Sequence, residues 1–265
     1  MHQHTFVVLA YRESPYLEAC IQSLLSQTVP SPIIISTSTP SAWLSEIGAR
    51  YNLPIRVREG EQSIADDWNF ALALAETPLV TLAHHDDIYQ PRFTEQALAA
   101  AEKHPDLLIS FTNMDLLIDG QHINRTLNRS VQRLLLWPYI FKGSLSSSFL
   151  RRLTLAFGNP VSCPSVTYQL KNLERLNNGF CFDRTYPNNL DWEAWIWLAQ
   201  QPGTFAYNRE ILLTHRFHTG SATSASLAAQ HRHSDDRRIF DLLWPRPFSA
   251  LIASLYALAY RSRHG

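Results

Sequence analysis

The first 115 residues alternate between short apolar runs of strand character and longer stretches with helical spacing, and no other feature restricts the fold as tightly. "TFVVLAY" (5–11) reads as a strand, and "YLEACIQSLLSQ" (16–27) as a helix opened by Ser14-Pro15, a serine cap with proline in the first turn. "PIIIST" (32–37) is a second strand, and a helix through "SAWLSEIGARY" (41–51) is expected to start at Thr39-Pro40. "IRVRE" (55–59), "LVTLA" (79–83) and "DLLISFTNM" (106–114) are further strands, separated by helices through "SIADDWNFALALAE" (63–76) and "PRFTEQALAAAEKHP" (91–105). This order predicts an α/β fold with a mostly parallel central sheet and helices on both faces. Such sheets bind ligands in the crevice beyond the carboxyl ends of their strands.

Beyond residue 115 the pattern is less regular. Strands are expected near 121–126 and 164–169, a helix through "LDWEAWIWLAQQ" from residue 190, strands at "TFAYN" (204–208) and "ILLTHRF" (211–217), and helices after Ser226. No repeat or low-complexity linker divides the chain. Residues 1–225 are therefore expected to form one domain, with halves at 1–115 and 116–225 and a helical extension over 226–265.

With 45% hydrophobic and 17% charged residues, the chain can bury a sizeable core. Lys+Arg and Asp+Glu both number 23, a balance that argues against a dedicated nucleic-acid binder. The cations are nevertheless uneven. Arg125, Arg129, Arg133, Lys142, Arg151 and Arg152 fall in the middle third with few acids around them, as a solvated face or as a patch for an anionic acceptor. Cys20, Cys163 and Cys181 have neither pairing nor metal-type spacing, which fits a reducing cytoplasm. The start, "MHQHTFVVLAY", lacks the pattern of a signal peptide, and "FSALIASLYALAY" (248–260) is too short to span a bilayer. That last segment is expected to be a helix packed on the domain, with peripheral association at the inner membrane face as the alternative.

"TLAHHDDIYQP" (81–91) breaks the apolar pattern abruptly: a strand runs straight into His84, His85, Asp86 and Asp87. Four ionisable groups in a row cost desolvation free energy unless water, a metal or a ligand meets them. They form either an exposed strand-to-helix turn or a site for a divalent cation and its anionic ligand. "YRES" (11–14) and "STSTPS" (36–41) lie at the ends of two other strands, so three loops converge on one sheet edge and favour the cation site. The chain has only 9 glycines and neither G-x-G-x-x-G nor a Walker-type loop, which disfavours a dinucleotide-binding dehydrogenase or a P-loop NTPase.

Taken together, these segments resemble the family 2 glycosyltransferases of GT-A fold over residues 5–225. "FVVLAYRESPYLEACIQSLLSQT" is similar to the family's opening strand and helix, and "IADDWNFALALAETPLVTLAHHDDIYQP" to the stretch that runs into its metal-binding Asp-x-Asp loop. "LDWEAWIWLA" and "LLTHRFHTGSAT" look like its acidic catalytic segment and its Arg-x-His-x-Gly-Ser element. Two departures stand out. The Asp-x-Asp triplet is His84-His85-Asp86, with Asp87 following, and the acidic turn that holds the nucleotide in many members is replaced by hydroxyls at Thr37, Ser38 and Thr39.

The resemblance implies an inverting transfer from a nucleotide-sugar donor to a carbohydrate or lipid-linked acceptor, assisted by Mg2+ or Mn2+, in cell-surface polysaccharide or glycolipid synthesis. On that reading Asp86, Asp87, His84 and His218 are the metal candidates, because hard divalent cations favour carboxylates and accept imidazole. Tyr11, Glu13, Thr37, Ser38, Asp67, Asn69, His85 and Arg216 are the donor-binding candidates. Capping explains the aspartates of the third helix equally well, and exposure to solvent is the equal alternative for His85. Asp191 is the candidate base, with Glu193 as the fallback; the competing role for Asp191 is a helix N-cap. Most of the aromatic surface of Trp192, Trp195 and Trp197 is expected to be core; if one ring stacks on a sugar face, it is Trp192. Two rivals remain open: a metal-dependent phosphoesterase with a two-metal site built from His84, His85, Asp86, Asp87, His215 and His218, and an inactive GT-A-like binding protein.

Overall fold

The computed structural model describes residues 3–124, 126–176, 179–218 and 232–261. Its first half contains β1 (His4–Ala10), α1 (Leu17–Leu25), β2 (Ile33–Thr37), α2 (Ala42–Tyr51), β3 (Ile55–Val57), α3 (Ile64–Ala73) and β4 (Leu79–His84). β5 (Ile88–Tyr89), α4 (Phe93–Lys103), β6 (Leu107–Ile118) and β7 (Gln121–Ile123) follow, then α5 (Leu127–Leu135), α6 (Trp137–Lys142), β8 (Ser144–Leu145) and α7 (Ser148–Leu155). The remainder comprises β9 (Val166–Gln169), α8 (Leu170–Glu174), α9 (Leu190–Gln200), β10 (Thr204–Phe217), α10 (Arg232–Leu243) and α11 (Phe248–Arg261).

The strands form one sheet in the order β3-β2-β1-β4-β9-β6-β10-β5, with β7 on β6 and β8 on β10. The longest ladders are parallel: β1 with β2 and β4, and β6 with β10. Short antiparallel β9 joins these two parallel blocks. The alternating residues of β1 show why both faces are covered. Phe6, Val8 and Ala10 pack with Leu17 and Ile21 of α1 and Phe93 of α4, whereas Val7 faces the cluster that contains Trp192, Trp195 and Phe240. Helices α9 and α10 therefore share one core with the sheet.

Several local expectations are corrected. α1 begins at Leu17 instead of at Ser14-Pro15, and the Ser14 hydroxyl accepts the Tyr16 N–H in a preceding turn. α2 is capped by Ser41, which accepts from the Leu44 N–H at 3.1 Å. Thr39 is not available as a cap because its hydroxyl receives the Arg12 N–H. α3 is capped by Ser63, so capping does not explain Asp66 or Asp67. The two strands expected at 204–208 and 211–217 are one strand. Register shifts between Asn208 and Leu213 absorb the polar Asn208-Arg209-Glu210 triplet that reads as a turn in the sequence.

Candidate functional site

Parallel β2, β1 and β4 lie side by side, so their carboxyl ends release the "STSTPS", "YRES" and "HHDD" loops along one edge of the sheet. Hydrogen bonds lace the first two together. Arg12, at a left-handed φ of 56°, donates its N–H to Thr39 Oγ1 at 2.6 Å. Thr39 in turn donates its N–H to Thr37 Oγ1 at 3.0 Å. Ser38 donates to Asp67 Oδ2 at 3.0 Å, and Arg58 binds Asp67 Oδ1 at 2.5 Å. Asp67 thus ties α3 to the "STSTPS" loop. A non-glycine residue held at positive φ costs free energy that the surroundings must supply, a pattern common where a loop serves a ligand.

Tyr11 is exposed, and its hydroxyl donates to Gln62 Oε1 at 3.3 Å. Glu13 is exposed and makes no hydrogen bond or ion pair among the described residues. Asn69 is taken up elsewhere: its amide donates to the Phe182 carbonyl at 3.0 Å and accepts the Phe182 N–H at 2.7 Å. His85 folds back onto β1, with Nδ1 2.8 Å from the Leu9 carbonyl oxygen.

His84, Asp86 and Asp87 each present a ligand-type atom within 4.8 Å of the others. Asp87 is fully buried, and its Oδ1 accepts from His215 Nδ1 at 2.9 Å and from the Arg216 N–H at 3.0 Å. Asp86 Oδ2 meets His218 Nε2 at 3.1 Å, and Arg216 Nε donates to the Asp86 carbonyl at 3.1 Å. The guanidinium of Arg216 also lies over the Tyr16 ring at 4.4 Å. The end of β10 therefore clamps the aspartate loop. His84 Nε2 and Asp87 Oδ2 are buried without a hydrogen-bond partner, the condition a cation bound among these residues would relieve.

The electrostatics agree with that geometry. Burial lowers the pKa of His84, although the charges of the nearby Asp87 and Asp86 act to raise it. Burial alone would raise the Asp86 carboxyl; the surrounding His84 and His85, the hydrogen bond from His218, and His215 hold it lower instead. For His215, burial acts downward, but the charge of Asp87, its hydrogen bond and Asp86 outweigh it and raise the pKa to about 9.

Asp191 sits in the first turn of α9, but the cap position belongs to Asn189, which removes the N-cap role. Asp191 Oδ2 accepts from Asn159 Nδ2 at 2.9 Å, and Oδ1 from the Trp192 N–H at 2.8 Å. The buried Cys163 thiol is pushed up by desolvation and then by the charges of Asp191 and Asp87. Glu193 is raised to about 7 by burial and by Asp183. Trp192 cannot stack on a sugar: it is buried against Phe240 and Tyr256, with Nε1 donating to the Leu155 carbonyl.

Neither His215 nor Asn159 was among the candidate site residues, although the phosphoesterase rival drew on His215. No motif marks either one, and only the fold brings Asn159 to Asp191 across 32 residues. The Gly-Ser part of the "RFHTGSAT" element and Arg125 lie outside the described residues.

A family model described as "Glycosyl transferase family 2" matches residues 5–167. No curated protein matches the chain. Among solved structures, residues 1–349 of S. aureus TarS in complex with UDP-GlcNAc share 15% identity at a TM-score of 0.64, covering 96% of this chain and 71% of that one. The mannosyltransferase PcManGT from Pyrobaculum calidifontis, in complex with GDP-Man and Mn2+, shares 14% identity at a TM-score of 0.61, covering 99% and 76%. At these identities the likeness is one of fold.

Proposed function

This chain belongs to glycosyl transferase family 2, and on that premise we propose that it moves a sugar from a nucleotide-sugar donor to an acceptor hydroxyl with inversion at the anomeric carbon. The observation that carries this reading is the cluster of His84, Asp86 and Asp87 at a strand's carboxyl end, with two buried polar atoms lacking partners. His84, Asp86 and Asp87 would hold Mg2+ or Mn2+, with His218 beside Asp86. The ion would neutralise charge that builds on the diphosphate as the sugar–oxygen bond breaks. A neighbouring fold that carries GDP-Man and Mn2+ supports the choice of donor class and ion.

The chain's own groups supply the rest. Tyr11, Glu13, Thr37 and Ser38 line the donor loops, and Asp67 holds Ser38 in place. Arg216, anchored on Tyr16, would offer its guanidinium to the diphosphate. His85 braces the loop against β1, and Asn69 holds the segment at Phe182. Asp191, oriented by Asn159, would take the proton from the acceptor hydroxyl as its oxygen attacks the anomeric carbon. The nucleoside diphosphate leaves from the opposite face, so a single displacement inverts the configuration. Glu193 is the fallback base.

Among the described residues one group of metal-type side chains occurs, His84, Asp86 and Asp87. The acceptor is a carbohydrate or lipid-linked hydroxyl of cell-surface assembly. The test is nucleoside diphosphate release from a panel of UDP- and GDP-linked sugars with Mn2+, with and without candidate acceptors. Asp191→Asn is expected to lower kcat roughly 10²- to 10⁴-fold while donor binding persists. A variant that transfers at the wild-type rate, or release from every donor only to water, would overturn the reading. Donor binding without turnover on any acceptor would point to an inactive binding protein.

A further inference from the structure

From Gly120 through Leu173 the chain has no Asp or Glu, but seven cations: Arg125, Arg129, Arg133, Lys142, Arg151, Arg152 and Lys171. Two of these are structural. Arg129 reaches Asn113 Oδ1 at 2.6 Å, and Arg151 binds the Gly203 and Gln201 carbonyls at 2.7 and 2.6 Å. Arg133, Lys142 and Arg152 have no acidic partner among the described residues.

The same helices expose large apolar side chains. Leu134 on α5 is 69% exposed, Phe141 on α6 79% and Phe149 on α7 72%. Trp137 is half exposed beside Phe141, their ring centroids 6.2 Å apart. α11 continues the patch. Its inner residues Ile252 and Ala253 pack into the core, whereas Phe248, Leu251 and Leu255 point outward. Residues 157 and 158 lie between the two regions: the Phe157 and Trp244 rings are 5.2 Å apart, and a Cβ added at Gly158 would lie 3.4 Å from Leu135 and 3.6 Å from Tyr256. Large exposed apolar side chains on the helices that carry these cations suit a partner that is apolar within and anionic at its face.

We propose that the outer faces of α5, α6, α7 and α11 dock this protein on an anionic lipid bilayer. Phe141, Phe149, Trp137 and Leu134 enter the headgroup boundary, while Arg133, Lys142 and Arg152 meet lipid phosphates. The long stems of the cations lie along apolar surface and place their charges at headgroup level. Charge decides against a second copy of this chain, because a two-fold pairing of this face would set its unpaired cations against themselves. Among the described residues no helix is long and apolar enough to cross a membrane, so the association is peripheral. None of the donor-loop residues lies on this surface, and docking therefore stands apart from the transfer reaction.

The test is cosedimentation of the full chain with phosphatidylcholine vesicles, with and without phosphatidylserine. Binding is expected only with the anionic lipid, and it is expected to weaken in high salt. Replacing Arg133, Lys142 and Arg152 together by Gln is expected to weaken it roughly 100-fold, since each cation near an anionic surface contributes about fivefold. Phe141→Ser with Phe149→Ser is expected to abolish it while circular dichroism stays unchanged. Asp86→Ala is expected to bind vesicles as the wild type does, which separates this outcome from failure of the catalytic reading. Equal binding to neutral vesicles, no binding to either, or a solution dimer that the Phe pair disperses would overturn the proposal.

Discussion

At the scale of single residues, the groups that matter are those whose environment departs from water. Burial and then Asp183 raise Glu193 from 4.5 to about 7, so the folded chain holds this proton more tightly than the unfolded one. Its favourable contribution is complete below the ordinary carboxyl range and is lost as pH rises through about 7. Glu193→Gln is therefore expected to raise Tm above that window and to leave it nearly unchanged below. A Tm difference independent of pH would contradict the burial account. The sequence made Asp86, Asp87 and His84 legible because ionisable residues interrupt an apolar strand, a violation visible without coordinates. Trp192 was misread because one helix carries three tryptophans, and spacing alone did not say which of them faced α10 and α11.

Among elements, β10 is the one whose continuity the sequence hid. It runs unbroken through the Asn208–Leu213 irregularity, and its far end delivers His215, Arg216 and His218 to the aspartate loop between β4 and β5. The polar triplet at its middle imitates a turn, and only pairing with β6 reveals a bulge. Asp87 is the fastener of this clamp. Asp87→Ala leaves His215 and the Arg216 N–H without their acceptor, and removing one member of a buried pair costs about 3–5 kcal/mol. Urea unfolding would show the loss, and adding His215→Ala to that variant is expected to cost little more because the interaction is already gone. A loss under about 1 kcal/mol would mean that the clamp does not hold the loop. Helix starts were off by a few residues for a related reason. Ser14 and Thr39 are good caps by type, but their hydroxyls serve the loops; α1 starts at Leu17 with no side-chain cap, and Ser41 caps α2.

For the whole molecule, the alternation of strands and helices over the first 115 residues fixes where function can reside, because parallel β2, β1 and β4 place three loops on one edge. That half was legible from local patterns. The second half was less so: it pairs residues distant in sequence, as when Asn159 meets Asp191 and β9 wedges between β4 and β6. The central claim is that the edge binds a nucleoside diphosphate together with a divalent cation through Asp86 and its neighbours. Thermal unfolding with UDP and GDP, each with and without Mn2+, on the wild type and Asp86→Ala tests it most directly. One nucleotide is expected to raise Tm roughly 5–10 °C at about 100 times its dissociation constant, only with Mn2+ and only in the wild type. A shift of the same size without metal, or one that persists in Asp86→Ala, would contradict the claim.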